Sequence, residues 1–180
     1  MLGLKFTVVS PDVPERPEPS ETAPVHVERL ARAKAIAVAS TMPGNVVIGG
    51  DTVVTLDGRI LGKPSSEGDA EAMLMKLAGR THSVASGLAL ALPSGQLQSG
   101  YSTTDVTFRR FSLDLARSYV ATGEPLDKAG AYAIQGMGAS LVSEIRGDYY
   151  TVVGLPVALL VELLEESGLP YEFPRPVTDL

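Results

Sequence analysis

Apolar positions along the chain change period several times, and each change marks an element. Lys5 to Val9 alternates polar and apolar residues and predicts a short strand. Ser10 to Pro24 holds five prolines among Glu and Ser, and predicts a loop. From Val25 to Ser40 the period lengthens. Val27, Leu30, Ala31, Lys34 and Val38 fall on one face of a helix, with Lys34 in an otherwise apolar slot. Val46–Ile48 and Thr52–Leu56 read as strand, interrupted by Gly49-Gly50, and Asp57-Gly58 predicts a hairpin into Arg59–Leu61. A second helix is expected over Glu67–Ala78, with Ala70, Met73, Leu74 and Leu77 on one face and Gly79 as its stop. His82–Leu92 and Gln96–Phe108 predict two long strands joined at Pro93-Ser94-Gly95. Ser112 opens a helix through Ala121 that Gly123 closes. Ala139–Ile145 predicts a strand, Arg146-Gly147-Asp148 a turn and Leu155–Glu166 a last helix, with an extended or frayed Pro-rich tail from Pro170. Strands alternating with helices and hairpins predict an α/β fold with a mixed sheet. No internal repeat or heptad is present.

Composition narrows the function classes. A chain of 180 residues with 44% apolar content forms one domain, or one domain with a lobe, and can bury a core. Fifteen Lys and Arg against 21 Asp and Glu leave a net charge of −6, which argues against a nucleic-acid scaffold. It does not exclude a nucleotide, for which a few local lysines and a divalent cation suffice. With no cysteine there is no disulfide framework, thiolate metal site or thiol nucleophile. No apolar run approaches the roughly 18 residues of a membrane span, and no secretory leader opens the chain. A soluble cytoplasmic protein is the expectation.

Two polar clusters stand out against this apolar background. Gly49-Gly50-Asp51-Thr52 followed by Leu61-Gly62-Lys63-Pro64 is the first; Asp127-Lys128-Ala129-Gly130 followed by Gln135-Gly136 is the second. Charged groups flanked by Val, Ile and Ala are costly to bury without partners. Asp51, at the end of an apolar strand, could hold Mg²⁺ or orient a water, or it could cap a turn beside glycine. Lys63 offers a point charge for a phosphate, or is a solvated turn lysine; the spacing is not that of a P-loop. Lys34 either snorkels at the edge of its stripe or points into a cleft. Gln135 could read the polar edge of a base or lie in a loop, and Asp127 and Lys128 could form a surface pair. His26 and His82 have no third ligand at zinc spacing and are assigned no catalysis, and no Gly-x-Ser-x-Gly elbow is present. A carboxylate, lysines and an amide together suit metal-assisted attack of water on a phosphoanhydride.

These motifs resemble the Maf proteins. The resemblance is carried by Arg29–Ala35, Gly50–Val54, Leu61–Pro64, Gly79–Gly87, Gly123–Tyr132, Ile134–Gly136 and Gly147–Pro156, in order over nearly the whole chain. It implies a house-cleaning nucleoside triphosphate pyrophosphatase that cleaves between the α- and β-phosphates. It also implies a fold akin to the inosine triphosphate pyrophosphatases, with two lobes around a cleft, and a divalent metal, Mg²⁺ or Mn²⁺. By position, Asp51 matches the acidic catalytic residue and Glu15 the metal-side glutamate that shares the ion with it. Lys34 and Lys63 match the phosphate-side lysines, and Thr52 and Gln135 match positions tied to substrate choice. Thr52 after Asp51, with Ile134-Gln135-Gly136, is similar to the branch acting on dTTP and UTP rather than the one preferring 7-methyl-GTP. A homodimer is implied by the family alone.

One departure bears on activity. The family opens with a strand, a Ser-x-Ser-Pro-Arg-Arg phosphate loop and a helix, whereas Met1–Phe6 here aligns with the turn that follows them. Residues 1–180 are thus expected to form a single Maf-like domain lacking that N-terminal segment. An upstream start would explain this, or a true truncation with impaired catalysis and an exposed sheet edge. Two other readings therefore stand beside the pyrimidine pyrophosphatase. One is a nucleotide-binding regulator of cell division without turnover; the other is a purine-directed pyrophosphatase acting on ITP or 7-methyl-GTP.

Overall fold

The computed structural model describes residues 3–173. Its elements are α1 (Ala23–Thr41), β1 (Val47–Leu56), β2 (Arg59–Leu61), α2 (Glu67–Leu77), β3 (Thr81–Ala91), β4 (Leu97–Phe108), α3 (Leu113–Val120), β5 (Val142–Arg146), α4 (Tyr149–Val153) and α5 (Val157–Glu166). Short 3-10 turns cover Glu124–Asp127, Ala129–Ala131 and Met137–Leu141.

The strands form one sheet in the order β2-β1-β3-β4-β5. The α/β class expected from the sequence is present. The sheet, expected to be mixed, is antiparallel at every described pairing, because hairpins join β1 to β2 and β3 to β4, and β3 returns beside β1 with Asp51 opposite Gly87 and Thr52 opposite Ser86.

Side chains alternate across the sheet and give each face its own helices. On one face Val53 and Ala85 meet Val27, and Val47, Ala89 and Ala91 meet Ala31, Ala35 and Val38 of α1. On the other, Val54, Val84, Val106 and Phe108 pack against Leu74 and Leu77 of α2 and Ala116 and Val120 of α3. Farther along that face Leu88 and Leu90 receive Leu160, Leu163 and Leu164 of α5. Full burial of each Val or Leu contributes roughly 1.5–3 kcal/mol relative to exposure.

Four local expectations change. Gly49-Gly50 does not interrupt β1, which runs through it. A Cβ on Gly49 would collide with the Ala31 carbonyl oxygen, and one on Gly87 with that of Val27. The glycines let the backbone of α1 lie directly on the sheet. Lys5–Val9 is not a strand: among the described residues it joins no ladder, and Phe6 and Val8 are 82% and 78% exposed. Alternation supplies strand propensity, but a strand needs a hydrogen-bonded neighbour. The Ala139–Ile145 strand starts only at Val142, because a 3-10 turn occupies Met137–Leu141. The last helix starts at Val157, after Pro156, and the unexpected α4 precedes it. Asp148 accepts hydrogen bonds from the backbone N–H groups of Tyr150 and Thr151, and Gly154, at φ 105°, ends the turn. The part of the Pro-rich tail after residue 173 lies outside the described residues.

Candidate active site

β2 pairs with β1 only at Val54–Leu56. The preceding part of β1 therefore has no strand on its outer edge among the described residues. A cavity of about 790 Å³ opens there, with Asp51 and Thr52 on its floor. Helix α1 supplies Leu30 and Lys34 to one wall, and the loop after β2 supplies Gly62 and Lys63 to another. Its size falls within the range of ligand pockets.

The centre of the site is a cation between two carboxylates. Lys34 Nζ lies 2.7 Å from Asp51 Oδ1 and 2.6 Å from Glu15 Oε1. The side chain of Asp51 is 11% exposed and that of Glu15 58%. Burial pushes the Asp51 carboxyl above the usual carboxylate range, and the Lys34 ammonium opposes this without cancelling it. Burial also disfavours charge on Lys34, but its hydrogen bonds to two carboxylates outweigh burial and keep it protonated. Two anions share one ammonium, and the more buried of them is the less compensated. The exposed Glu15 carboxyl is held below its ordinary value, chiefly by its hydrogen bond to Lys34.

Of the second polar cluster, only the Ala129-Gly130 stretch reaches the cavity. Gly130 donates its backbone N–H to the Gly62 carbonyl at 3.1 Å, which brings Ala129 to the cavity wall beside Lys63. Lys63 is exposed at the rim. Thr52, the neighbour of Asp51 on a strand, faces the other side of the sheet. Its Oγ1 lies 2.7 Å from Ser86 Oγ, and Ser86 donates to the Thr151 carbonyl at 2.7 Å. The Ser86 proton is thereby used, so Thr52 is the donor of the pair and its own oxygen is left as an acceptor.

The remaining polar residues singled out in the sequence stand apart from the Lys34–Asp51 centre. Gln135 is exposed and does not line this cavity. Asp127 and Lys128 form an exposed pair at 2.6 Å. His82 is buried in the core, with Nε2 2.9 Å from Tyr132 Oη and its ring edge-on to Phe108 and Tyr132. His26 is buried at the cavity wall, bonded through Nδ1 to Glu21 at 2.9 Å. Sequence reasoning missed Glu21, Arg29 and Ser86. Strand register could have found Ser86, since β1 and β3 place it opposite Thr52; no spacing rule signals Glu21.

Among the described residues no cluster of three or more His, Cys, Asp or Glu could hold a metal. At the cavity Glu15 and Asp51 converge, both within hydrogen-bond distance of one cationic atom. That donor set fits a hard divalent ion of the Mg²⁺ kind, which takes one or two carboxylates and completes its shell with water and substrate phosphates. No helix among the described residues is long and apolar enough to cross a membrane.

An antiparallel α/β fold with a carboxylate–lysine–carboxylate cluster over an open strand edge is the class of protein that the structure defines. The chain belongs to the Maf family: the family model described as Maf-like protein matches residues 1–167. It is 51% identical over 168 residues to a dTTP/UTP pyrophosphatase of Nitratidesulfovibrio vulgaris, covering 93% of this chain and 80% of that protein. It is 45% identical to the dTTP/UTP pyrophosphatase of Symbiobacterium thermophilum, covering 94% and 87%. The Myxococcus xanthus dTTP/UTP pyrophosphatase is 48% identical over 94% and 85%. A solved nucleoside-triphosphatase, a dITP/XTP pyrophosphatase of Mycobacterium abscessus, is 15% identical, with 88% and 78% covered and a TM-score of 0.40.

Proposed function

We propose that this protein hydrolyses nucleoside triphosphates, dTTP and UTP foremost, to the monophosphate and pyrophosphate. The observation that carries the reading is the Lys34 ammonium held between Glu15 and Asp51 inside the cavity, in a chain whose relatives are dTTP/UTP pyrophosphatases. Asp51 accepts a proton from water as its oxygen bonds to the α-phosphorus. The bond from that phosphorus to the bridging oxygen breaks, and its electron pair leaves with pyrophosphate. A carboxyl raised by burial is a better proton acceptor than an ordinary aspartate. Glu15 and Asp51 would hold Mg²⁺, which offsets charge on the phosphates when bound. Lys34 and Lys63 do the same from the helix and the rim. Thr52 contributes to choosing the base through its free acceptor; a part for Gln135 rests on the family resemblance.

The test is pyrophosphate release from a panel of pyrimidine and purine triphosphates with Mg²⁺, for the wild type and Asp51→Asn. Release from dTTP or UTP that the substitution abolishes supports the reading. Preference for ITP or 7-methyl-GTP would move it to the purine branch. Nucleotide-induced thermal stabilisation without release would replace turnover by binding.

A further inference from the structure

Glu15 stands on a segment with no regular structure, yet its carboxylate reaches Lys34 at 2.6 Å. A side chain 58% exposed does not hold such a position by packing. The segment is instead tied to α1 by one guanidinium. Arg29 Nε and Nη2 donate to the two carboxylate oxygens of Glu21 at 2.6 and 2.8 Å. The same Nη2 donates to the Arg16 carbonyl at 3.2 Å, one residue from Glu15, and Nε lies 3.6 Å from Glu18 Oε1. Glu18 in turn donates its backbone N–H to Glu21 Oε2 at 3.0 Å. The Glu21 side chain is 4% exposed, so the fork is anchored in the interior. Arg29 therefore grips the segment at three points, all within six residues of Glu15.

We infer that Arg29, seated on Glu21, is the positioning residue for Glu15 and sets the affinity for the divalent ion. The inference rests on the reading of Glu15 as a metal-side carboxylate. Its sign separates it from simple electrostatics. Removing a cation near the site, and leaving Glu21 without its guanidinium partner, favours a bound cation by Coulomb's law. Weaker binding on losing Arg29 therefore runs against that attraction and points to a misplaced Glu15. A purely structural role for the pair would lower the melting temperature without coupling to Glu15.

The experiment uses the full chain with Mn²⁺ and a dTTP analogue bearing a methylene between its α- and β-phosphates. Mn²⁺ in the ternary complex is read by water proton relaxation, for wild type, Arg29→Met, Arg29→Lys, Glu15→Gln and the Glu15→Gln/Arg29→Met double variant. Arg29→Met is expected to weaken Mn²⁺ tenfold or more. Arg29→Lys, which keeps the charge but loses the fork, shifts in the same direction and remains informative should the methionine variant fail to fold. The double variant is expected to bind no more weakly than Glu15→Gln. Wild-type or tighter binding in both Arg29 variants overturns the inference. So does a loss of equal size in the Glu15→Gln background. Wild-type binding by Glu15→Gln itself overturns the metal role of Glu15, and with it the premise.

Discussion

Lys34 and Asp51 meet at 2.7 Å across the seam between α1 and β1, and two glycines set that distance. Gly49 and Gly87 lie beneath α1, where any Cβ would strike the carbonyl oxygens of Ala31 and Val27. The helix rests on bare backbone, and Lys34, one turn beyond Leu30, extends onto the carboxylate.

Gly87→Ala is therefore expected to cost stability and activity together. Overpacking typically costs about 1–3 kcal/mol, and here the obstruction is helix backbone that cannot rotate away. A lower denaturation midpoint accompanied by a fall in kcat, from a position outside the cavity lining, is the expected result. Gly87→Ala with wild-type stability would show that α1 is not seated on the strand.

Asp51→Asn is expected to reduce pyrophosphate release by about 10²–10⁴-fold, the range for loss of a general base, while the melting temperature stays close to wild type. An amide keeps the shape and can still accept from Lys34, so a large loss of turnover with an intact fold shows that the reaction needs the Asp51 carboxylate itself. Steady-state rates and a thermal melt on the same preparation check both.

Ser86→Ala removes the donor to the Thr151 carbonyl and the acceptor of Thr52. The cost expected is about 1–3 kcal/mol, for leaving a buried polar group without its partner. Thr52 also regains a free proton, so the ratio of kcat/KM between dTTP and a purine triphosphate should move more than kcat itself. An unchanged ratio would detach Thr52 from base selection.

His82 gives the fold a pH dependence. Burial among Phe108 and Tyr132 lowers its pKa to about 4, while the unfolded chain keeps it near the ordinary 6.5. Between those values the unfolded state binds more protons, so stability rises with pH and falls as the solution is acidified from about 6.5 towards 4. A full proton corresponds to a slope of about 1.4 kcal/mol per pH unit. His82→Phe should flatten this dependence between about pH 6.5 and 4.5, measured by denaturant unfolding at several pH values.

Much of this was legible from period and punctuation. The hairpin at Asp57-Gly58 and the long β3–β4 pair follow from turn residues and alternation. Lys34 in an apolar slot and Asp51 after two glycines are the pair that the fold brings together. Lys5–Val9 was misread because alternation does not say whether a partner strand exists. Gly49-Gly50 was misread as a break because close approach of a helix is a tertiary property. Glu15 could be named only through the family resemblance, since a solitary glutamate among prolines has no local signature. Thr52 carried a signal in its parity: adjacent strand residues face opposite sides, so its partner is Ser86 and not Lys34, although both it and Asp51 border the cavity.

The hydrogen bond from Gly130 to the Gly62 carbonyl has a consequence for how the rim adapts. It is made by backbone alone, at residues without side chains. The spacing between the two loops is thus insensitive to most sequence drift around them, whereas Lys63, next in the chain, presents its side chain to solvent. The mouth of the cavity combines a mount made of backbone with a charge carried on an exposed side chain, so the frame and the charge can change independently in sequence.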